Sequence, residues 1–265
     1  MKVIVTGASR GIGAAIAHRF ARQGAAVALL ARSDTRPAHS ALEGTLQDTA
    51  RAVKDAGGTP YIVPVDLQDP SRVSKSVAEA IDRMGGCDVL INNASALSVE
   101  RHPSYKVVQR IHNINSIATL IAIQTASRAL EEARGAIVTM SPPVNIARLD
   151  WLSNHPAYTA SKYCMTLATL AAASDRIRAN AIWPRRMIAT AATKMLEEHG
   201  GYAGAYSNGR PPSIVADAVF RVATCPSTNA SCMYDDDVIK EWMYDTTAPL
   251  DVFASEARPR NAVGV

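Results

Sequence analysis

Tyr158 and Lys162 stand four residues apart in P-A-Y-T-A-S-K-Y-C-M, at the head of an alanine-, leucine- and threonine-rich run that reads as a buried helix. On a helix this spacing puts both side chains on one face, one turn apart, while Tyr163 points elsewhere. A phenol of ordinary pKa, about 10, is a poor base at neutral pH. Lowering it by about 3 units takes roughly 4 kcal/mol, which one cation at about 4 Å supplies at an effective dielectric near 20. The expectation is a Tyr158 made acidic by the Lys162 ammonium, able to give or take a proton at a carbonyl or alcohol oxygen. An accidental Tyr/Lys pair with Lys162 snorkelling to water is the alternative that the spacing alone leaves open.

A second candidate is Ser141. The apolar run Ala136–Met140 ends on it and is stopped at once by Pro142 and Pro143. Its hydroxyl is either a reacting group placed at a strand end or a polar cap before a loop.

A third group binds rather than reacts. Thr6 to Gly13 reads T-G-A-S-R-G-I-G, between the first strand candidate and the first helix candidate. Gly7 permits the tight turn, Gly11 lets a pyrophosphate approach the backbone, and Gly13 lets helix and strand pack closely. Phosphates would sit on the free N–H groups and positive end of the helix that starts near Ile12. The second strand ends in A-L-L-A-R-S-D. Arg32 at that end, with Arg10 reaching from the glycine turn, suits a ribose 2′-phosphate and favours NADP(H); Asp34 would instead accept from a 2′-OH and leaves NAD possible.

These groups need a frame. Unbroken apolar runs at Val3–Thr6, Val27–Ala31, Tyr61–Val65, Val89–Asn92, Ala136–Met140 and Ala179–Trp183 read as strands buried on both faces. Helix patterns lie between them, at Ile12–Gln23, Ser40–Ala56, Ser71–Met84 and Val107–Ala133, several ended by glycine. The alternation predicts an α/β fold: a Rossmann-type, doubly wound parallel sheet flanked by helices, in a single domain over residues 1–245. After Trp183 the rhythm loosens into helices at Ala191–Glu198 and Ile214–Ala223. A strand-like Met233–Ile239 follows, broken by Asp235, Asp236 and Asp237. Residues 184–212 are the expected substrate loop, and 246–265 an aperiodic tail.

The chain has 265 residues and a net charge of +4 with scattered basic residues, which argues against nucleic-acid binding. Cys87, Cys164, Cys225 and Cys232 show neither zinc spacing nor a disulfide pattern. No apolar run reaches the roughly 18 residues of a membrane span, and Met1 runs straight into K-V-I-V-T-G, so the expectation is a cytoplasmic chain without stable membrane insertion, beginning at its natural N-terminus.

T-G-A-S-R-G-I-G, N-N-A-S at 92–95, Y-T-A-S-K and N-A-I-W-P at 180–184 occur in the order found in the short-chain dehydrogenase/reductases, and the chain resembles that family over residues 1 to about 240. M-S-P-P-V-N, P-A-Y-T-A-S-K-Y and W-P-R-R-M-I-A-T-A-A are similar to its hydroxysteroid dehydrogenase-like subgroup, whose longer members carry a sterol-carrier domain that this sequence lacks. The resemblance implies a catalytic set of Tyr158, Lys162, Ser141 and Asn115, the last holding a water that relays protons to Lys162. A helix-interior asparagine with a local structural bond is the other reading of Asn115. It also implies that Gly7, Ala8, Ser9, Arg10, Gly11, Ile12 and Gly13 bind the pyrophosphate. Asp66 and Leu67 would hold the adenine, and Asn92, Asn93 and Ala94 the cofactor's inner edge. Lys162 would also hold the nicotinamide ribose, and Ile188 and Thr190 would lie near the carboxamide.

Two departures stand out. The family's substrate-holding serine falls at position 142, where this chain has proline, which offers neither hydroxyl nor N–H. The family's P-G after the sixth strand is Pro184-Arg185 here. Ser141 could shift into reach, and His155, three residues before Tyr158, ranks after it as a substitute donor. The expected function is an NADP(H)-dependent oxidoreductase interconverting a carbonyl (aldehyde or ketone) and an alcohol. Met187, Met195, Tyr202, Tyr206, Trp242 and Met243 suggest an apolar, fatty, terpenoid or steroid-like substrate, unless they are core or interface. The family resemblance suggests a homodimer or homotetramer through the helices at 107–133 and 156–173. The rival readings are a nucleotide-binding redox or lipid sensor with little catalysis, and an isomerase or dehydratase on the same fold.

Overall fold

The structure, a computed structural model, describes residues 1–37, 42–145, 153–199 and 201–244. In chain order these form β1 (Lys2–Thr6), α1 (Gly11–Ala21), β2 (Ala26–Ala31), α2 (Leu46–Asp55), β3 (Thr59–Pro64), α3 (Pro70–Met84), β4 (Val89–Asn92), α4 (Tyr105–His112), α5 (Ala118–Ala133), β5 (Ala136–Met140), α6 (Pro156–Ala171), β6 (Arg178–Trp183), α7 (Ala191–His199), α8 (Pro212–Thr224), β7 (Cys232–Tyr234) and α9 (Asp235–Tyr244).

The seven strands form one sheet in the order β3-β2-β1-β4-β5-β6-β7, every pair parallel. The chain winds outward from β1 through β2 to β3, then returns to the other side of β1 as β4. Above β1 and β4 the connections diverge, and such a switch point opens a crevice at the carboxyl ends of the strands.

Successive strand residues alternate between two cores. Val3, Val5, Val27 and Leu29 pack with Ile16 and Phe20 of α1, Val53 of α2 and Val219 of α8. Ile4, Leu30, Leu90 and Ile137 pack on the opposite face with Val73 and Val77 of α3 and Ala126 and Leu130 of α5. Both faces are covered, which is why the strands read as unbroken apolar runs. A buried ion pair, Arg19 Nε to Asp217 Oδ1 at 2.7 Å, ties α1 to α8.

All six expected strands are present, each within two residues of its expected ends. Three expectations are corrected. The helix expected from Ser40 begins at Leu46, because Thr45 caps it: its hydroxyl accepts from the Asp48 N–H while Asp48 accepts from the Thr45 N–H. The expected helix Val107–Ala133 begins at Tyr105 and contains a π-turn at Asn113–Ile117 between α4 and α5. The strand-like Met233–Ile239 is strand only over Cys232–Tyr234; the three aspartates that follow fill the first turn of α9, where carboxylates meet the positive end of a helix. The aperiodic tail 246–265 lies outside the described residues.

Candidate active site

The glycine turn folds over the end of β2, with the Gly7 and Ala8 N–H groups donating to the Leu30 carbonyl oxygen at 2.7 and 3.2 Å. Gly7 has φ +69°, and a Cβ there would stand 2.9 Å from the Ala94 Cα. A Cβ on Gly13 would collide with the Gly7 carbonyl oxygen and the Asn93 amide nitrogen. Gly11 is different: nothing lies nearer to its would-be Cβ than the Thr190 methyl at 3.3 Å, so segment 188–190 faces the turn.

Asn93 donates from Nδ2 to the Thr6 carbonyl oxygen at 2.9 Å, and the N–H groups of Asn93 and Ala94 donate to Thr6 Oγ1 at 3.0 and 3.1 Å. The Asn93 side chain is thus spent on clamping the loop after β4 to the turn after β1. Asn92 is buried and donates to Thr139 Oγ1 at 3.3 Å, inside the sheet. Asp66 accepts from the Gln68 N–H at 3.0 Å just beyond β3, next to the buried Leu67. Ile188 is buried and bridges to Arg210. Thr190 heads α7, its N–H donating to Thr193 Oγ1 at 2.9 Å.

α1 starts at Gly11, and its N-cap residue Arg10 makes no side-chain cap bond to the first-turn N–H groups. Arg10 donates from Nη1 to the Leu42 carbonyl oxygen at 2.6 Å. Burial, and then the like charge of Arg32, hold the Arg10 guanidinium below its ordinary range. Asp34 accepts from Gln47 Nε2 at 3.0 Å, which engages it with α2. An uncapped helix start and glycines at the points of closest approach fit a dinucleotide.

Tyr158 and Lys162 lie in the first two turns of α6, whose start is favoured by Pro156 at its first position. Lys162 is 2 % exposed. Its ammonium donates to the Met140 carbonyl oxygen at 2.5 Å, touches Met165 Sδ at 3.4 Å, and stands 5.3 Å from the centre of the Trp183 ring. No ion pair to a carboxylate is formed by Lys162 among the described residues, and burial brings its pKa down to about 7. The Tyr158 phenol moves the other way, pushed up to about 12 by burial, with a hydrogen bond from Ser95 opposing the rise. This corrects the expectation of a phenol acidified by its neighbour. Neither residue is among the causes of the other's shift; burial leads in both, and the ammonium is turned to the Met140 carbonyl.

Asn115 sits fully buried in the π-turn. Its Oδ1 accepts from the Ala96 N–H at 2.7 Å, and its Nδ2 donates to the Ala96 carbonyl oxygen at 3.0 Å and to Ser161 Oγ at 2.9 Å. Ser161 Oγ in turn donates to the Tyr158 carbonyl oxygen at 2.7 Å. The carboxamide is therefore engaged at both ends, fastening the loop after β4 to α6.

Ser141 has no exposure, and its Oγ finds no hydrogen-bond partner among the described residues. The Pro142 carbonyl accepts from Thr166 Oγ1 at 2.7 Å, which pins the turn. His155 pairs through Nε2 with the Tyr202 hydroxyl at 2.9 Å, joining the start of α6 to segment 201–209. Arg185, in place of the expected glycine, stacks over the Tyr234 ring at 4.2 Å and pairs with Asp237 at 2.6 Å. Arg210 pairs with Asp235 and Asp236. The residues that sequence reasoning missed are Ser95, Ser161, Arg210 and the Met140 carbonyl. Ser95 and Ser161 were visible as hydroxyls inside N-N-A-S and Y-T-A-S-K; a backbone carbonyl carries no sequence signal.

A sequence model described as short chain dehydrogenase matches residues 1–200. Hydroxysteroid dehydrogenase-like protein 2 of Bos taurus is 37% identical over 246 residues, which is 90% of this chain and 57% of that protein. The chain thus spans somewhat over half the length of that relative. A short chain dehydrogenase from Mycobacterium thermoresistibile superposes with a TM-score of 0.80 at 32% identity, covering 91% of this chain and 86% of the other. L-sorbose reductase from Gluconobacter frateurii, solved with NADPH and L-sorbose, gives 0.70 at 25% identity over 88% of this chain and 93% of the other.

Proposed function

The chain belongs to the short-chain dehydrogenase family, oxidoreductases that act on CH–OH groups with NAD(P), and we propose that it uses NADP(H) to interconvert a carbonyl and an alcohol on an apolar substrate, with Tyr158 as general acid and base. The observation that carries this reading is Lys162: a lysine without an acidic partner among the described residues, buried one helical turn from a tyrosine at a dinucleotide-type crevice. Burying an ammonium is costly, and function is the ordinary reason to keep one.

A bound nicotinamide supplies or accepts the hydride at the substrate carbon. Tyr158 gives its proton to the carbonyl oxygen in reduction and takes it from the hydroxyl in oxidation. A phenol held protonated suits the first direction. Lys162, poised near neutrality, returns the proton to Tyr158 from the Met140 side of the site. Arg10 and Arg32 support NADP(H), since a 2′-phosphate would relieve their mutual repulsion. Gly7 to Gly13 hold the pyrophosphate, Asp66 and Leu67 the adenine, Asn92 to Ala94 the inner wall, and Ile188 and Thr190 the carboxamide end.

Met187 and Tyr206 expose apolar surface on the segment after β6, which supports an apolar substrate. Ile117 and Leu120 near the start of α5 and Leu167 on α6 are exposed as well, which supports a homodimer or a tetramer through these helices. No described helix is long and apolar enough to cross a membrane, and all four cysteines are free, which supports a reducing, cytoplasmic setting.

The test is NADPH consumption with a panel of medium-chain aldehydes and ketones. Turnover that disappears in Tyr158→Phe is the expected result. NADPH binding without turnover on any substrate, and without change in Tyr158→Phe, overturns it in favour of a nucleotide-binding sensor, the reading that Pro142 and the buried Ser141 favour.

A further inference from the structure

We propose that Ser95 provides the second hydroxyl at the reacting oxygen, the place that proline at position 142 and the sequestered Ser141 leave unfilled in the carbonyl/alcohol chemistry proposed above. Position 142 offers no donor, and its carbonyl is held by Thr166 Oγ1 at 2.7 Å. Ser141 lies on the neighbouring residue but has no exposure, and its Oγ is without a partner among the described residues. Ser95 has the opposite character: it is exposed just beyond the carboxyl end of β4, its Oγ donates to the Ala96 carbonyl oxygen at 3.4 Å, and the same hydroxyl lies within reach of the Tyr158 phenol, where it opposes the rise of the phenol's pKa.

This placement is built. Asn93 and Ala94, just before Ser95, are fixed to Thr6, and Ala96, just after it, is gripped through both N–H and carbonyl by Asn115. The same Asn115 carboxamide donates to Ser161 Oγ, which donates to the Tyr158 carbonyl oxygen. Two side chains therefore lock the backbone of Ser95 to the turn of α6 that carries Tyr158, so the two hydroxyls meet at low conformational cost. In this arrangement Ser95 donates to the oxygen that Tyr158 protonates, and between turnovers it satisfies the phenol. Asn115 is a positioning residue in this scheme, acting through Ala96.

The experiment compares Ser95→Ala, Ser95→Thr and Ser141→Ala in the full chain with NADPH and an aldehyde that the wild-type protein reduces. Removing one donor at a developing oxyanion typically slows chemistry by about 100-fold or more, and for an exposed hydroxyl we expect a kcat loss of about 10- to 100-fold in Ser95→Ala, with KM within about twofold. The alkaline limb of the pH profile moves upward, and Ser95→Thr recovers part of the rate. A larger loss in Ser141→Ala than in Ser95→Ala overturns the proposal, as does an unchanged rate in Ser95→Ala.

Should the wild-type protein reduce nothing in the panel, the oxidoreductase reading fails and the Ser95 contact is judged separately. Nuclear magnetic resonance of protein labelled with carbon-13 at the tyrosine Cζ identifies Tyr158 as the signal absent from Tyr158→Phe. Displacement of that signal in Ser95→Ala supports the contact; an unmoved signal overturns it.

Discussion

The Lys162 ammonium donates to the Met140 carbonyl oxygen at 2.5 Å, so the most deeply buried cation of the candidate site is moored to the last residue of β5 and not to Tyr158. Strand β5 hands over its final carbonyl at the point where the chain turns away at Ser141.

This burial has a price in stability. Lys162 has a folded pKa of about 7 against an ordinary 10.5, so between those values the unfolded chain holds a proton that the folded chain does not. Stability therefore rises with pH through that window, and the penalty is fully present below it. We expect Lys162→Met to abolish turnover and to raise stability by about 1–2 kcal/mol at pH 7, as replacing a buried charge by an apolar side chain often does. Thermal unfolding of both proteins from pH 7 to above pH 10 checks this: the gap should shrink as the pH rises.

A second expectation concerns the cationic corner. If Arg32 and Arg10 receive a 2′-phosphate, Arg32→Ala removes a charge-assisted hydrogen bond worth about 1.5–3 kcal/mol, or roughly 10- to 100-fold in Kd. NADPH affinity should fall by that factor while NADH affinity hardly changes, and fluorescence titration with each dinucleotide measures both. Equal loss for the two would assign Arg32 to the shared part of the molecule.

A third concerns assembly. Leu167 is 58% exposed and Leu120 42%, on helices that flank the same side of the sheet. Placing a carboxylate at each, Leu120→Glu with Leu167→Glu, should convert an assembled protein to monomers, because an unpaired charge in an apolar interface costs several kcal/mol. Light scattering coupled to size-exclusion chromatography reads the mass directly. Neither site contributes to the core, so the unfolding temperature of the monomer should stay close to the wild-type value.

The frame was legible from the sequence because a parallel sheet covered on both faces needs unbroken apolar strands, and short apolar runs alternate with longer amphipathic stretches along the chain. The Tyr158/Lys162 pair and the glycine turn were legible for a similar reason: each depends on spacing within one local element. What was not legible depends on tertiary contact. The phenol's rise, rather than fall, comes from its burial, which no spacing encodes. Asn115 looked equally like a water holder or a local structural residue, and its engagement with Ala96 and Ser161 follows only from the approach of three elements. Arg185 looked like a defect in a glycine position, yet the chain provides Tyr234 and Asp237 to receive it, some fifty residues away.

The last expectation follows from those late contacts. Arg210 pairs with Asp235 and Asp236, while its backbone accepts from the Ala189 N–H at 2.8 Å and donates to the Met187 carbonyl at 2.9 Å, so one residue fastens the segment carrying Ile188 and Thr190 to the start of α9. The Asp235 side chain is fully buried, and burial holds its pKa above the ordinary carboxylate range. Arg210→Ala would leave that carboxylate without its cation, at a cost of about 2 kcal/mol, below the usual 3–5 because Arg210 is itself partly exposed. Removing the cation raises the Asp235 pKa further, so the loss should be largest at neutral pH and shrink as the pH falls and Asp235 takes up a proton. If segment 187–190 holds substrate and carboxamide as proposed, loosening its strap should raise KM more than it lowers kcat. Thermal unfolding at pH 5 and pH 7, beside steady-state kinetics, checks both halves; a KM left at the wild-type value would mean that the strap serves stability alone.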